Sequence, residues 1–223
     1  MKMSSRILRL RIRQNPLMVI GVIICIAWIV ISLGAEQLAP YDPLDQSIME
    51  RLQGPSNDHV FGTDQLGRDV LSRVMYGGRT SLPAGLIVVA SAMLVGTIFG
   101  AVAGYLGGLW DELLMRFTEV FMAFPIIILA MAIAAALGPN VNNAIIAMAV
   151  VWWPNYARIV RSLVISVKSN EYVEAARAIG ASPVRILFLA ILPNCLAPAL
   201  VMATLDIGTV SYTHLRAHET KAN

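Results

Sequence analysis

Residues 82–105 read LPAGLIVVASAMLVGTIFGAVAGY, and this uncharged stretch decides the class of fold. No charged residue occurs between Arg79 and Asp111, and about 20 mostly apolar helical residues cross a bilayer core of about 30 Å. Residues 82–105 are therefore predicted to form a transmembrane helix. The composition agrees, because 57% of the 223 residues are hydrophobic and 14% are charged, about half the charged share of a soluble domain.

Four further apolar stretches approach the same length, so we predict an all-α, multi-pass transmembrane helical bundle. The other four of about five spans are expected at residues 16–35, 120–137, 141–157 and 189–205. Trp152 and Trp153 are expected at the membrane surface, where aromatic side chains are enriched. A cleaved signal peptide is the alternative for the first stretch, but an apolar run of about 19 residues is long for a signal peptide. This length favours an uncleaved helix.

The basic residues predict the orientation in the membrane. With a basic cytoplasmic tail at residues 1–15, segments 105–119 and 158–188 lie inside. The connecting segment, residues 36–81, then lies outside, in the periplasm or extracellular space. Eleven of the 17 Lys and Arg residues fall inside and four outside, a bias typical of an N-terminus in the cytoplasm.

Glycines recur every four residues at the end of the second span, at Gly96, Gly100, Gly104 and Gly108. Residues at this spacing lie on one face of a helix, and small residues there let another helix approach closely. We therefore predict a helix-packing face. A substrate-lining face is the alternative.

The sequence lacks the motifs that would make it an enzyme. It has no G-x-x-x-x-G-K-[ST] phosphate loop, H-E-x-x-H, G-x-S-x-G or C-x-x-C. Cys25 and Cys195 lie in apolar runs without ligand-like neighbours, so neither a disulfide framework nor a zinc site is expected. We expect no catalytic residue, cofactor, metal or nucleic-acid partner, and we expect any ATP hydrolysis to take place on partner subunits.

The stretch that carries most functional information is the two-helix corner, residues 169–193, which reads SNEYVEAARAIGASPVRILFLAILP. Asn170 suits the N-cap of a helix that begins at Glu171, and Gly180 suits its left-handed end. Ser182 and Pro183 then favour the start of a second helix. Small side chains on the first helix leave a low surface that a partner's groove can approach, although a corner that merely joins two spans is the alternative.

The two-helix corner resembles a known signature. Glu174-Ala175-Ala176, then Gly180 and Leu192-Pro193, are similar to the EAA motif of ABC importer permeases, with Ala190 where that motif often has isoleucine. Further blocks resemble permeases of the dipeptide/oligopeptide/nickel group, most closely the second (C-type) permease, in the same order along residues 10–208. They are FGTDQLGRDVLSR at 61–73, YGGRTSL at 76–82, GYLGG at 104–108, LMR at 114–116, AFP at 123–125 and WPNYAR at 153–158.

This resemblance implies an ABC type I importer permease fold with six spans and a transport function without enzymatic activity. Permeases of this family lie in the bacterial or archaeal cytoplasmic (inner) membrane. It implies as partners a second permease subunit, two cytoplasmic ABC ATPase subunits and an extracytoplasmic solute-binding protein. In such importers the EAA loop, here at about residues 158–193 of the permease core 82–208, contacts the ATPase. The substrate would be a di- or oligopeptide or a related small solute such as nickel.

Two regions are harder to interpret. In the connecting segment, Asp64 with Arg68 and Asp69 with Arg73 have the spacing of ion pairs on one short helix. Contact with a binding protein or a periplasmic gate is the alternative. After residue 208 the resemblance stops, and we expect residues 209–223 to be non-native, with a genuine cytoplasmic or periplasmic tail as the alternative. We also expect the last helix to be short of a full span and the sixth span to be missing. A non-transporting structural or assembly subunit is therefore the alternative function, and an intramembrane enzyme is disfavoured by the missing motifs.

Overall fold

A computed structural model describes the backbone of residues 16–219 and the side chains of residues 16–209. Its described residues are predominantly helical and contain no strand beyond one isolated antiparallel bridge between Thr63 and Asp69, which confirms the all-α prediction. The chain divides into two compact units, residues 1–81 and 82–223. The predicted basic tail, residues 1–15, lies outside the described part.

The first unit begins with α1, Pro16–Leu33, followed by the short helix α2, Ala35–Leu38. Only 6% of α1 is buried by the protein, and its exposed side chains are nearly all apolar, as expected of a helix surrounded by lipid. The connecting segment then runs mostly without regular structure and contains one 3-10 turn, Ile48–Glu50.

The predicted short helix with two ion pairs in the connecting segment is wrong. Asp64 does pair with Arg68, with Oδ2 and Nε 2.8 Å apart, but Arg73 also contacts Asp64 rather than Asp69. Residues 61–69 form turns instead, in which Gly62 and Gly67 have φ of +73°. A helix cannot contain two such left-handed positions, so the carboxylate of Asp64 gathers both arginines across a turn.

The second span is part of one long helix, α3, Val70–Leu106. It ends at Gly107 and Gly108, whose φ values of +69° and +54° turn the chain into α4, Gly108–Met122. Most of residues 105–119, predicted to connect two spans on the inner side, are helical.

The third predicted span, residues 120–137, is not continuous. The chain breaks after α4 and resumes as α5, Ile126–Leu137, at an angle of 81° to α4. Pro125 accounts for the break, because a proline disfavours helical geometry at the residue before it. The 12 residues of α5 are too few to cross a bilayer alone.

The helix α6, Val141–Lys168, lies at the centre of the second unit. Trp152 and Trp153, expected at the membrane surface, are packed inside the protein and only 7% and 5% exposed. Trp153 packs against three phenylalanines, with ring centroids 4.7–5.9 Å away: Phe99, Phe117 and Phe121. Such aromatic contacts add to the energy of burial, so α6 is held by protein side chains.

After α6 come α7, Glu171–Ala178, the short helix α8, Pro183–Arg185, a π-helical stretch at Ile186–Ile191, and α9, Leu192–Glu219. The last helix is longer than expected, because the apolar run Pro183–Thr209 has 27 residues and is long enough to cross a membrane. The backbone stays helical through the first part of the predicted tail, and the side chains after residue 209 lie outside the described residues.

Three helices of the described chain are long and apolar enough to span a membrane, or four if the bent pair α4 and α5 is one span. About five spans were expected. The missing one is α6, whose 28 residues suffice in length but include Asn142, Asn143, Asn155, Arg158 and Arg161. These polar residues lower its mean hydropathy although it is the most buried helix.

Candidate functional site

The two-helix corner is built on local signals in the sequence. Helix α7 ends in a Schellman motif: Gly180 N donates to Arg177 O at 2.9 Å, and Ala181 N donates to Ala176 O at 3.1 Å. Gly180 has φ of +81°, and a Cβ there would meet no atom within 4 Å. Its glycine is therefore required by backbone conformation and not by lack of space.

The second helix of the corner begins at the predicted residues. Ser182 Oγ accepts a hydrogen bond from Arg185 N at 3.4 Å, with Pro183 at the first helical position. The predicted pair Leu192-Pro193 lies where the π-helical stretch passes into α9. Leu192 N donates to Leu187 O, five residues earlier, and Pro193 has no N–H to continue the ladder.

One side chain anchors α7 to the rest of the protein. Val173 is completely buried in a cluster with Val160 and Val164 of α6 and Ile191 before α9. Tyr172 adds a polar tie, since its hydroxyl donates to Ala190 O at 3.3 Å and accepts from Asn194 Nδ2 at 3.1 Å. The corner is thus fixed to α6 and α9 along one side.

The other side of the corner is open. Glu174 and Ala175 are exposed, Ala176 is half-buried, and the apolar Ile179 is 85% exposed. A groove of about 310 Å³ follows the turn, and its lining includes Ala176, Gly180, Ala181, Arg185, Leu189 and Ala190. Of the signature residues, Ala176 and Gly180 line this groove, Glu174 and Ala175 are exposed on the preceding helix, and Leu192 and Pro193 lie apart from it at the start of α9.

Three of the four patterned glycines face α6 at very short distance. A Cβ at Gly96 would lie 2.7 Å from Trp153 O, at Gly100 2.9 Å from Arg161 N, and at Gly104 2.9 Å from Arg161 O. Real Cβ atoms do not approach backbone atoms so closely. Gly108 departs from this pattern, because the bend after Leu106 places it at the start of α4 with no atom near its missing Cβ.

A carboxylate that the sequence reading passed over lies between α6 and α9. Asp206 Oδ2 accepts hydrogen bonds from Tyr156 Oη at 2.8 Å and from Trp152 Nε1 at 3.2 Å. The two donors are almost fully buried. The signal was a single acidic residue at the end of an apolar run, and its partners, about 50 positions earlier, could not be identified from sequence.

A second polar cluster, also missed, lies in the connecting segment. His59 Nδ1 donates to Asp69 Oδ1 at 3.0 Å, and Asp69 Oδ2 accepts from Ser72 N and Ser72 Oγ, both at 2.7 Å. Burial opposes ionisation of Asp69, but these donors outweigh it and lower the pKa of the carboxyl below its ordinary value. Asp69 thus caps α3 and ties it to His59.

Asp64 behaves in the same way. Burial raises the pKa of its carboxyl, whereas hydrogen bonds from the backbone N–H groups of Arg68 and Leu66 and from the Arg68 side chain lower it, with a net decrease. Among the described residues, no group of three or more His, Cys, Asp or Glu side chains is placed to hold a metal ion. Asp69 caps α3, and Asp64 pairs with Arg68 and Arg73.

Comparison with known proteins identifies the family. Residues 96–211 match the family described as "Binding-protein-dependent transport system inner membrane component", and residues 5–55 match "N-terminal TM domain of oligopeptide transport permease C". The match to the first family extends past residue 208, where the resemblance was expected to stop.

Named relatives agree with this assignment. The dipeptide transport system permease protein DppC of Alkalihalophilus pseudofirmus is 45% identical over 89% of this chain and 66% of its own length. The oligopeptide permease OppC of Bacillus subtilis is 36% identical over 92% and 67%, and the glutathione permease GsiD of Escherichia coli is 41% identical over 89% and 66%. The chain spans about two thirds of the length of these relatives. It belongs to the inner-membrane permeases of binding-protein-dependent transport systems, among the C-type peptide permeases.

Proposed function

We propose that this protein is the transmembrane permease subunit of an ATP-binding-cassette importer that moves peptides across the cytoplasmic membrane. The observation that carries the proposal is the two-helix corner, which is anchored on one side and open on the other. A rigid projection with exposed apolar side chains suits docking into a partner that moves. Because this chain has no ATP-binding motif of its own, ATP hydrolysis is assigned to two partner subunits.

The proposed coupling follows from how the corner is attached. Val173 is buried at the junction with α6 and α9, and the Schellman motif removes freedom from the turn. A push on Glu174, Ala175 and Ala176 would therefore move α6 and α9 instead of bending the corner. Two arrangements of the spans, inward-open and outward-open, would then follow the state of the ATPases.

The substrate class is proposed from the relatives. Their names specify dipeptides, oligopeptides and glutathione, all of which contain peptide bonds, and this favours a peptide over nickel. As partners we propose a second permease subunit and an extracytoplasmic solute-binding protein. The basic residues support a cytoplasmic N-terminus, with the connecting segment on the opposite side, where such a binding protein would be met.

Site-specific cross-linking tests the docking surface. Ala175→Cys, in a Cys25→Ser background that removes the exposed native thiol, is expected to cross-link to the ATPase subunit in membranes containing the complete transporter. Leu44→Cys, 75% exposed in the connecting segment, is the matched control and should give no such product. Equal cross-linking at both positions, or none at Ala175→Cys in an active transporter, would contradict the proposed docking surface.

Uptake provides a second test. Gly180→Pro fixes φ near −65° where the turn needs +81°. ATP-dependent peptide uptake should therefore fall at least about tenfold, which corresponds to an increase of about 1.4 kcal/mol or more in the activation free energy. Membrane abundance is measured in parallel by immunoblotting. Normal uptake at normal abundance would show that transport does not require the left-handed turn at Gly180.

A further inference from the structure

Two side chains of helix α6 bind the bend between α3 and α4. These side chains belong to Arg161 and Lys168. The two residues are seven positions apart and therefore lie on the same face of the helix, two turns from each other. Lys168 is the last residue of α6, and the two-helix corner follows directly. The bend is thus held at the end of α6 nearest the proposed docking surface.

The first contact is an ion pair. Arg161 Nη2 donates to Asp111 Oδ2 at 2.6 Å and Nε donates to Oδ1, a bidentate arrangement. The two side chains are 35% and 18% exposed. Among the ion pairs of the described residues after 82, this is the one that joins two helices, because the other, Arg116 with Glu119, lies within α4. Partial burial and two parallel bonds make such a pair stronger and more directional than a surface contact.

The second contact is a hydrogen bond from the Lys168 ammonium group to the C-terminal end of α3. Lys168 Nζ donates to Tyr105 O at 2.7 Å and lies 5.7 Å from the centre of the Tyr105 ring. Tyr105 is in the last turn of α3, where carbonyl groups lack partners within the helix and the helix dipole favours positive charge. Lys168 therefore fixes the end of α3 as Arg161 fixes the start of α4.

Close packing of the α3 and α6 backbones accompanies both contacts. A Cβ at Gly104 would meet the carbonyl of Arg161 and the side chain of Val164. At this level α3 and α6 are too close to slide past each other without a clash. A displacement of the end of α6 must therefore displace the α3–α4 bend with it.

We propose that Arg161 and Lys168 are positioning residues of the transport cycle, which transmit the movement of the two-helix corner to the bend between α3 and α4. This rests on the proposed function, since it requires that a partner moves the corner. The predicted defect is loss of coupling: ATP is still hydrolysed, but less peptide is moved for each ATP.

The test is a charge exchange in the complete transporter reconstituted into proteoliposomes, with ATP hydrolysis and peptide uptake measured together. Asp111→Arg and Arg161→Asp are each expected to leave hydrolysis within about twofold and to lower uptake per ATP about tenfold. The double variant restores opposite charges and should recover at least half of the normal ratio. The exposed pair Arg116 and Glu119, exchanged in the same way, is the matched control and should leave the ratio unchanged.

Lys168→Met gives a reading that does not depend on correct insertion of a reversed charge. It should lower uptake per ATP about threefold, and Lys168→Arg should keep it normal. A parallel fall of hydrolysis and uptake in the single variants, no recovery in the double variant, or a normal ratio in Lys168→Met would overturn the proposal. Absence of ATP-dependent uptake in the unaltered transporter would instead contradict the proposed function.

Discussion

The two units of the chain are stabilised by different kinds of contact. Within the described residues up to 81, Ala35 is the one buried hydrophobic side chain, whereas the buried polar ones are Ser32, His59, Thr63, Asp69, Ser72 and Ser81. From residue 82 to 209 the proportion is reversed, and Thr118 is the one buried polar side chain beside 22 hydrophobic ones. Close packing therefore holds the second unit, whereas four of the buried polar side chains of the first form hydrogen bonds, namely His59, Thr63, Asp69 and Ser72.

The difference follows from the surroundings expected of the second unit and of the connecting segment. Lipid tails are as apolar as leucine, so helices inside a bilayer gain little from burying apolar surface and must instead fit closely. Gly96, Gly100 and Gly104 provide that fit against α6. The connecting segment has too few apolar residues for a core, and hydrogen bonds to its buried side chains His59, Thr63, Asp69 and Ser72 avoid a desolvation penalty.

The largest effect is expected where the backbones touch. Gly96→Ala would place a methyl group against Tyr156 Cβ and 2.7 Å from Trp153 O. Backbone atoms cannot rotate away, so we expect destabilisation of about 3 kcal/mol, at the upper end for overpacking. Steric trapping in lipid bicelles measures the free energy of unfolding.

Gly77→Ala on the same helix is the matched control, because no atom lies within 4 Å of a Cβ there. It should stabilise α3 by up to about 1 kcal/mol, the difference in helix propensity between glycine and alanine. Equal effects of the two substitutions would mean that α6 does not depend on the close approach at Gly96.

In the connecting segment the largest effect is expected from one carboxylate. Asp69→Asn removes the charge that accepts bonds from His59 and Ser72, and hydrogen bonds to a charged group contribute about 1.5–3 kcal/mol. Amide exchange at Ser72 should become about 30-fold faster, since about 2 kcal/mol of local stability is lost. Asp42→Asn, whose carboxylate is exposed and accepts one bond from Leu44 N, should leave that exchange unchanged.

Lowering the pH should destabilise the connecting segment. The folded pKa values of Asp64 and Asp69 are lower than their ordinary values, so ionisation is favoured in the folded state and contributes stability above about pH 4. That contribution is lost as the pH falls below about 4 toward the folded pKa values. Exchange at Ser72, corrected for intrinsic rates, should show this loss in the unaltered protein and a weaker one in Asp69→Asn.

Local signals explain what could be predicted from the sequence. The two-helix corner needs a residue with positive φ at Gly180 and a capped, proline-initiated start at Ser182 and Pro183, and each of these requirements is visible within a few residues. The all-α class followed from long apolar runs. These features depend on neighbours in sequence, and the structure has them at the predicted positions.

Some differences from the expectations have local causes, at Gly62, Gly67 and Pro125, and others depend on residues distant in sequence. The spacing of Asp64 and Arg68 fits a helix, but the bonds that decide the segment's shape connect Asp69 to His59 and Ser72. Trp152 and Trp153 have the composition of a membrane surface, yet phenylalanines from two other helices and Asp206 surround them. Which helix buries a tryptophan is a property of the packed bundle.

The smallest effects should come from exposed ion pairs, equally in both units. Arg79 Nη1 lies 3.3 Å from Glu36 Oε2 in the first unit, and Arg116 Nη1 lies 3.3 Å from Glu119 Oε2 in the second, with all four side chains 48–73% exposed. Solvent screens such pairs, so Arg79→Gln and Arg116→Gln should each change the free energy of unfolding by less than about 0.5 kcal/mol. A larger loss for Arg79→Gln alone would show that exposed charges as well as buried polar groups hold the first unit. Two equally small losses would place the difference between the units in their buried side chains.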